Sequence, residues 1–130
     1  MKIRPATTSD GSAVTDLLKS IEGVWQPDSV LRAISAADGL AIVAVEQEHV
    51  IGFICGHDLG FRAYLSEFAV AESHQRAGIG TVLLRTFEDA LAQRGCRLVV
   101  ADVYPPAEPF YRRLGWAPPS AILLSHRLPT

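Results

Sequence analysis

The sequence predicts an α/β or α+β fold in which a mixed sheet is covered by helices. Three observations point there. Apolar runs of strand length recur at Leu40–Glu46, Val50–His57 and Ala63–Val70. They are followed by an amphipathic stretch, Gly78–Arg94, with Ile79, Leu83, Leu84, Phe87, Ala90 and Leu91 at helical spacing. Between the last of these runs and that helix lies a glycine-rich turn, Gln75-Arg76-Ala77-Gly78-Ile79-Gly80. The chain has 130 residues, 48% hydrophobic and 20% charged. That is one domain by size, residues 1–130, with enough apolar matter for a real core.

The elements follow in order. Lys2–Pro5 reads as a short strand. Thr8 or Ser9 can cap a helix running to about Ser20, with Ala13, Leu17 and Ile21 on one face. Pro27 or Asp28 opens a second helix through Val30, Leu31 and Ile34, which ends near Gly39. Leu40–Glu46 and Val50–His57 are strands joined by a polar turn, and Ala63–Val70 is the next strand. Gly95 stops the helix that begins at Gly78. Arg97–Val103 reads as a buried strand from its Leu-Val-Val-Ala run. Pro106–Leu114 is a short helix entered by proline and ended by Gly115, and Trp116–Leu128 is expected to contain a last strand.

Composition removes several function classes. A net charge of −2 gives no broad basic footprint, which argues against nucleic acid as a partner. No apolar stretch reaches membrane-spanning length, and the N-terminus lacks the apolar core of a signal peptide. Cys55 and Cys96 stand alone in apolar runs, with no CxxC and no His/Cys cluster. They are expected to be buried free thiols in a reducing, cytoplasmic setting, and no metal is expected.

The glycine-rich turn carries the chemistry. N–H groups at a helix start lack helical acceptors, and the helix dipole adds roughly half a positive charge there. Glycines let a phosphate approach the backbone. A Walker loop is disfavoured because Gly80 is followed by Thr81 with no lysine. A dinucleotide fingerprint lacks its third glycine, where Leu83 stands, although Asp102 lies about the right distance downstream for a ribose contact. An ordinary helix start with two glycines is the plain alternative.

Gln75-x-x-Gly78-x-Gly80 after a strand resembles motif A of the GNAT family, the Gcn5-related N-acetyltransferases. Phe110-Tyr111-Arg112-Arg113-Leu114-Gly115-Trp116 resembles motif B, and Ile3-Arg4-Pro5-Ala6, Asp10 and Leu17-Leu18 resemble the usual N-terminal strand and helix. Ala41–Ile54 resembles the hairpin of the second and third strands, so the likeness covers nearly the whole chain. It implies the GNAT fold: a mixed, mostly antiparallel sheet flanked by about four helices and splayed between β4 (Ala63–Val70) and β5 (Arg97–Val103). It also implies acetyl-CoA as acyl donor. Its pyrophosphate would be held by backbone groups at Gln75, Arg76, Ala77, Gly78, Ile79, Gly80 and Thr81, and its pantetheine by Phe68, Ala69 and Val70. The chain departs from the pattern at Tyr104, where many members carry an asparagine seven residues before the tyrosine. Pro105-Pro106 follow, and the asparagine's role is not carried over.

Acyl transfer from a thioester to an amine needs a neutral amine, donors for the oxyanion and a proton for the leaving thiolate. Tyr111 is the candidate acid, since the family's matching tyrosine lies near the coenzyme sulfur; its plain role is an aromatic packed on the core. Glu67 and Asp102 are candidate bases facing the gap between the strands, or else solvated charges. On the acceptor side the notable residues are Glu22, Trp25, Asp28 and Arg62, beside the first two helices, the Asp58–Arg62 turn and the C-terminal strand. The expected reaction is direct acetyl transfer to a primary amine of a small molecule or peptide. A catalytically inactive acyl-CoA-binding regulatory module of the same fold, and a nucleotide-binding module, are the rival classes. The sequence leaves a homodimer open.

Overall fold

The computed structural model describes residues 1–19, 26 and 28–129. Five strands form one sheet in the order β1-β2-β3-β4-β5. They are β1 Lys2–Pro5, β2 Ala41–Glu46, β3 His49–Asp58, β4 Ala63–Val70 and β5 Val99–Ala101. The first four pair antiparallel, whereas β4 and β5 run parallel. The parallel pair needs a crossover, and helix α3 (Ile79–Gln93) supplies it. Helices α1 (Gly11–Leu18) and α2 (Ser29–Ala37) lie between β1 and β2 in the chain, and α4 (Glu108–Arg113) follows β5.

Local chemistry explains the boundaries. Thr7, not Thr8 or Ser9, stands at the start of the first helical segment: its N–H donates to Asp10 Oδ2 at 2.8 Å. A 3₁₀ turn, Thr8–Asp10, then leads into α1. The cap shifts because Asp10 is held from the other side by Arg4, whose guanidinium donates to both carboxylate oxygens at 2.9 Å. Those hydrogen bonds hold the Asp10 carboxyl down at about 2. The stability this clasp contributes is therefore present above the ordinary carboxylate range and is lost as pH falls toward 2. The β2–β3 hairpin turns on Gln47 and Glu48, both with positive φ, as a two-residue hairpin loop requires.

The sheet is sandwiched. Strand alternation puts Gly52 and Gly56 of β3 on the α3 face. A Cβ on Gly52 would meet Leu83 Cδ1 at 2.7 Å, and one on Gly56 would meet Phe87 Cζ at 2.3 Å. The two glycines thus let α3 seat Leu83, Leu84 and Phe87, all fully buried. Cys55 faces the other way, with its thiol 3.7 Å from the Ala33 carbonyl of α2. Burial lifts that thiol to about 12, so it stays protonated and inert. Cys96 is only partly buried, because Gly95 has ended α3 and turned the chain to the surface.

Pairing between β4 and β5 covers Ala63–Leu65 against Val99–Ala101 and stops there. At that point β4 carries a bulge. Cys55 pairs with Glu67 and Gly56 with Leu65, so Ser66 is the extra residue. Beyond it β4 continues to Val70 with β3 as its neighbour on one side, and the two parallel strands part.

Two expectations need correction. The strand expected over Arg97–Val103 is confined to Val99–Ala101 and is half-buried, because it is the sheet edge with a neighbour on one side. The strand expected within Trp116–Leu128 does not form among the described residues. Pro118 and Pro119 lack donors, and the segment after them is exposed with no strand alongside.

Candidate functional site

A cleft of about 750 Å³ opens where β4 parts from β5. One wall is the start of α3. Its first intrahelical bond runs from the Val82 N–H to the Gly78 carbonyl at 3.1 Å. The N–H groups of Ile79, Gly80 and Thr81 therefore precede the helical ladder and remain available to an acceptor. Gly78 caps the helix at φ 82, and nothing lies within 4 Å of the place its Cβ would take. Arg76 adopts φ 69, a left-handed conformation uncommon for a residue other than glycine, and it lines the cleft. The loop is tied to the strand by Gln75, whose Nε2 donates to the Val70 carbonyl at 3.2 Å. His74 also lines the cleft, its Nε2 2.8 Å from Glu46 Oε2 and its Nδ1 2.8 Å from Ser73 Oγ. Three N–H groups ahead of the helical ladder, a helix dipole and a left-handed turn give this wall the physical features of an anion site.

The facing wall is aromatic. Phe68 of β4 meets Phe110 and Tyr111 of α4 edge to face, with centroids 6.0 and 6.3 Å apart. Tyr111 also meets Phe110 at 5.5 Å and Trp116 at 5.2 Å. Trp116 is fixed in turn by a hydrogen bond from Nε1 to Glu88 of α3 at 2.8 Å. These contacts lock the Tyr111 ring, while burial pushes its phenol up to about 12. The hydroxyl is therefore protonated at neutral pH, and no described residue accepts its hydrogen. Ala69, Val70, Pro106, Pro109 and Arg113 complete the lining.

Of the cofactor residues expected from sequence, Phe68, Ala69, Val70, Gln75, Arg76, Gly78, Gly80 and Thr81 come together on this cleft. Ala77 lies exposed in the loop, and the Ile79 side chain is buried in the core below its own N–H. The candidate bases lie elsewhere. Glu67 pairs with Cys55, which puts it on the sheet face away from α3, half-buried, and burial raises its carboxyl. Asp102 sits just past β5, exposed, and accepts a hydrogen bond from the Tyr64 hydroxyl at 3.0 Å. Burial, then Asp102 itself, raise the Tyr64 phenol to about 12. Arg62 is exposed in the β3–β4 turn, closed by a bond from Leu59 N–H to its carbonyl at 2.8 Å. Asp28 is exposed at the start of α2, and Glu22 and Trp25 lie outside the described residues.

Sequence reasoning missed Tyr64 and the inward place of Phe110 and Arg113, while His74, read as lying on the phosphate side of the loop, lines the cleft. Tyr64 pairs with Val100 across the parallel strands, so Asp102, two residues on, shares its face. That register is the one signal that could have found it.

The sequence profile of the acetyltransferase (GNAT) family matches residues 12–116. The chain belongs to that family. No curated protein matches the sequence. Among solved structures, Ard1 from Thermoplasma volcanium superposes with a TM-score of 0.82 at 22% identity, covering 89% of this chain and 82% of that one. A ribosomal-protein-alanine N-acetyltransferase from Brucella melitensis biovar Abortus 2308 gives 0.76 at 19% identity, covering all of both chains. The aminoglycoside N-acetyltransferase AAC(6')-Iy, in a complex with CoA, gives 0.78 at 16% identity over 98% of this chain and 99% of that one. At these identities the likeness concerns the fold. The mixed five-stranded sheet with its parallel β4–β5 pair is the GNAT fold, and GNAT membership indicates acetyl transfer as the reaction class. Among the described residues no helix is long and apolar enough to cross a membrane, and no cluster of three or more His, Cys, Asp or Glu is placed to hold a metal ion.

Proposed function

We infer that this protein transfers the acetyl group of acetyl-CoA to a primary amine of a small molecule or peptide. The observation that carries this is the pairing of an anion cradle with an apolar aromatic wall in one cleft. A coenzyme with a pyrophosphate at one end and an apolar pantetheine arm at the other needs both surfaces. In this reading the N–H groups of Gly78–Thr81 hold the phosphates. The backbone of Phe68–Val70, unpaired on the β5 side, faces the arm.

The amine attacks the thioester carbonyl directly. A bond forms from nitrogen to the acetyl carbon, the carbon–sulfur bond breaks, and the sulfur leaves as thiolate. Tyr111 donates the proton that the thiolate takes up, from a hydroxyl that burial keeps protonated, and the proton that the nitrogen sheds as it becomes an amide restores the phenol. The ammonium proton must be removed before attack, and Glu67 is the favoured acceptor because burial raises its affinity for a proton. Asp102 is the alternative, with its carboxylate already engaged by Tyr64. The acceptor enters on the face carrying Glu67, toward Arg62 and the segment containing Glu22 and Trp25. With a buried free thiol at Cys55, a reducing cytoplasm is the setting we infer.

The deciding experiment is calorimetry with acetyl-CoA, followed by thiol release in the presence of a panel of amines. Binding with turnover supports the enzyme. Binding without turnover across the panel moves the reading to a regulatory acyl-CoA-binding module, and preference for ATP or NAD overturns it.

A further inference from the structure

Granted acetyl transfer to an amine, on which this rests, we propose that the acceptor carries a second positive charge, seated against Asp102 between the phenols of Tyr64 and Tyr104 while its reacting amine stands at Glu67. The bulge at Ser66 brings the first two groups together. Plain alternation from Tyr64 would turn Glu67 to the opposite face, and the extra residue turns it back. Tyr64 pairs with His57 and Glu67 with Cys55, two positions apart on one face of β3. A phenol and the favoured proton acceptor thus share the face away from α3. The run after β5 supplies the other two groups. Asp102 and Tyr104 are exposed, whereas Val103 between them packs on the core, so both project to the same side. Tyr104 is 61% exposed, yet its backbone is fixed: the Ala107 N–H closes a 3₁₀ turn onto its carbonyl at 2.9 Å, and Pro105 and Pro106 stiffen that turn.

These groups meet where β4 and β5 part. The Tyr64 hydroxyl donates to Asp102 Oδ2 at 3.0 Å across the two strands. That bond engages one carboxylate oxygen, and among the described residues no lysine, arginine or histidine pairs with Asp102. Burial first, then Asp102, with Glu67 and Tyr104 adding their charge, raise the Tyr64 phenol to about 12, so both of these neighbours stand near its hydroxyl. A carboxylate with an oxygen to spare beside two phenol rings suits an ammonium or guanidinium, which the charge attracts and the ring faces accept. The two carboxylates divide the task by their surroundings. Glu67 is half-buried and holds a proton more readily, which suits the nitrogen that must lose one. Asp102 is exposed, which suits a charge that is kept. Tyr64 and Glu67 stand three positions apart along a bulged strand, which sets the two nitrogens roughly 7–10 Å apart. A flexible diamine with about six methylenes spans that distance.

The test is steady-state thiol release from acetyl-CoA with hexylamine and with hexamethylenediamine, which differ by the far ammonium. The wild type is expected to favour the diamine about tenfold in kcat/KM, beyond the factor of about two from its equivalent ends, with the difference carried by KM. The preference should shrink as salt rises from about 50 to 500 mM. Asp102→Asn and Tyr104→Leu, both at exposed positions, are each expected to cut it to about threefold or less, Asp102→Lys to reverse it, and Asp102→Glu to keep most of it. A larger preference for alanyl-lysinamide over alanyl-leucinamide identifies a peptide as the carrier of the second charge, and a smaller one identifies a small molecule. Equal kcat/KM for hexylamine and the diamine in the wild type overturns the proposal and leaves acetyl transfer to an amine standing. A preference that survives Asp102→Lys overturns it as well. A fall in kcat on both amines in Asp102→Asn, greatest at low pH, makes Asp102 the base and likewise overturns it. Absence of turnover on every amine removes the acetyltransferase reading and the proposal together.

Discussion

β4 is one strand with two fates, divided at Ser66. Over Ala63–Leu65 it is flanked on both sides, by β3 and β5, and Ala63 and Leu65 are buried. Over Glu67–Val70 it has β3 alone, every residue is half-buried, and the freed side lines the cleft. The composition of the two halves barely differs. The difference comes from a single extra residue, whose hydroxyl satisfies itself on the Cys55 carbonyl at 3.2 Å. The bulge ends the regular ladder at the position where β5 departs, and a packed sheet opens into a cleft within one strand. A protein can thus keep a rigid support directly beside an open site.

The comparison breaks most visibly at Gly56, opposite the closed half. A Cβ there would stand 2.3 Å from Phe87 Cζ and 2.6 Å from the Tyr64 carbonyl. Gly56→Ala is therefore expected to destabilise the fold by about 3 kcal/mol, since both the ring and the backbone must move. Urea denaturation reads this directly, and a loss below about 1 kcal/mol would show that the closed half is not tightly packed.

At the open half the largest effect belongs to Tyr111. Tyr111→Phe keeps the ring and its three aromatic contacts, so melting temperature and acetyl-CoA binding should barely change. Turnover should fall about 10²-fold or more, the usual worth of a general acid. Unchanged turnover, with chemistry rate-limiting, would reduce Tyr111 to a packing residue.

Gly80 sharpens the contrast with Gly56. Its Cβ would meet Phe110 and Phe68 at 3.5 to 3.7 Å, ordinary contact distances. Gly80→Ala should therefore fold normally, while Gly80→Val, which crowds both the rings and the phosphate cradle, should weaken acetyl-CoA binding by roughly tenfold. Titration calorimetry on both variants separates the outcomes, and equal affinity for Gly80→Val would remove the cradle from the coenzyme site.

The smallest effect is expected at Glu67. Burial raises its carboxyl, so the folded chain holds that proton more tightly than the unfolded one. The stability tied to this group is present at low pH and is lost as pH rises through the folded value. Glu67→Gln should thus leave stability at pH 7 unchanged or raised by less than about 1 kcal/mol. Its rate should fall most at low pH and recover partly at high pH, where more of the amine is already neutral. Asp102→Asn is the matched control. If it alone shows that pH-dependent loss, the base moves to the residue after β5; if neither does, solvent takes the proton.

The chain order of elements as far as the helix Glu108–Arg113, the helix from Gly78 and the hairpin were legible from residue type and period. Those features are local: glycine tolerates φ 82, alternation marks a strand, and helical spacing marks α3. The sequence holds no CxxC and no His/Cys cluster, and its net charge is −2. Three things waited for the tertiary structure. The partial exposure of Cys96, where a buried thiol was expected, depends on how the chain leaves α3 at Gly95. The hydrogen bond of Tyr64 to Asp102 depends on the register of two strands joined through α3. Whether the apolar run after Pro119 becomes a strand depends on an edge to receive it. Register, edges and neighbours are relations between residues far apart in the chain, set by how whole faces pack, and no local pattern encodes them.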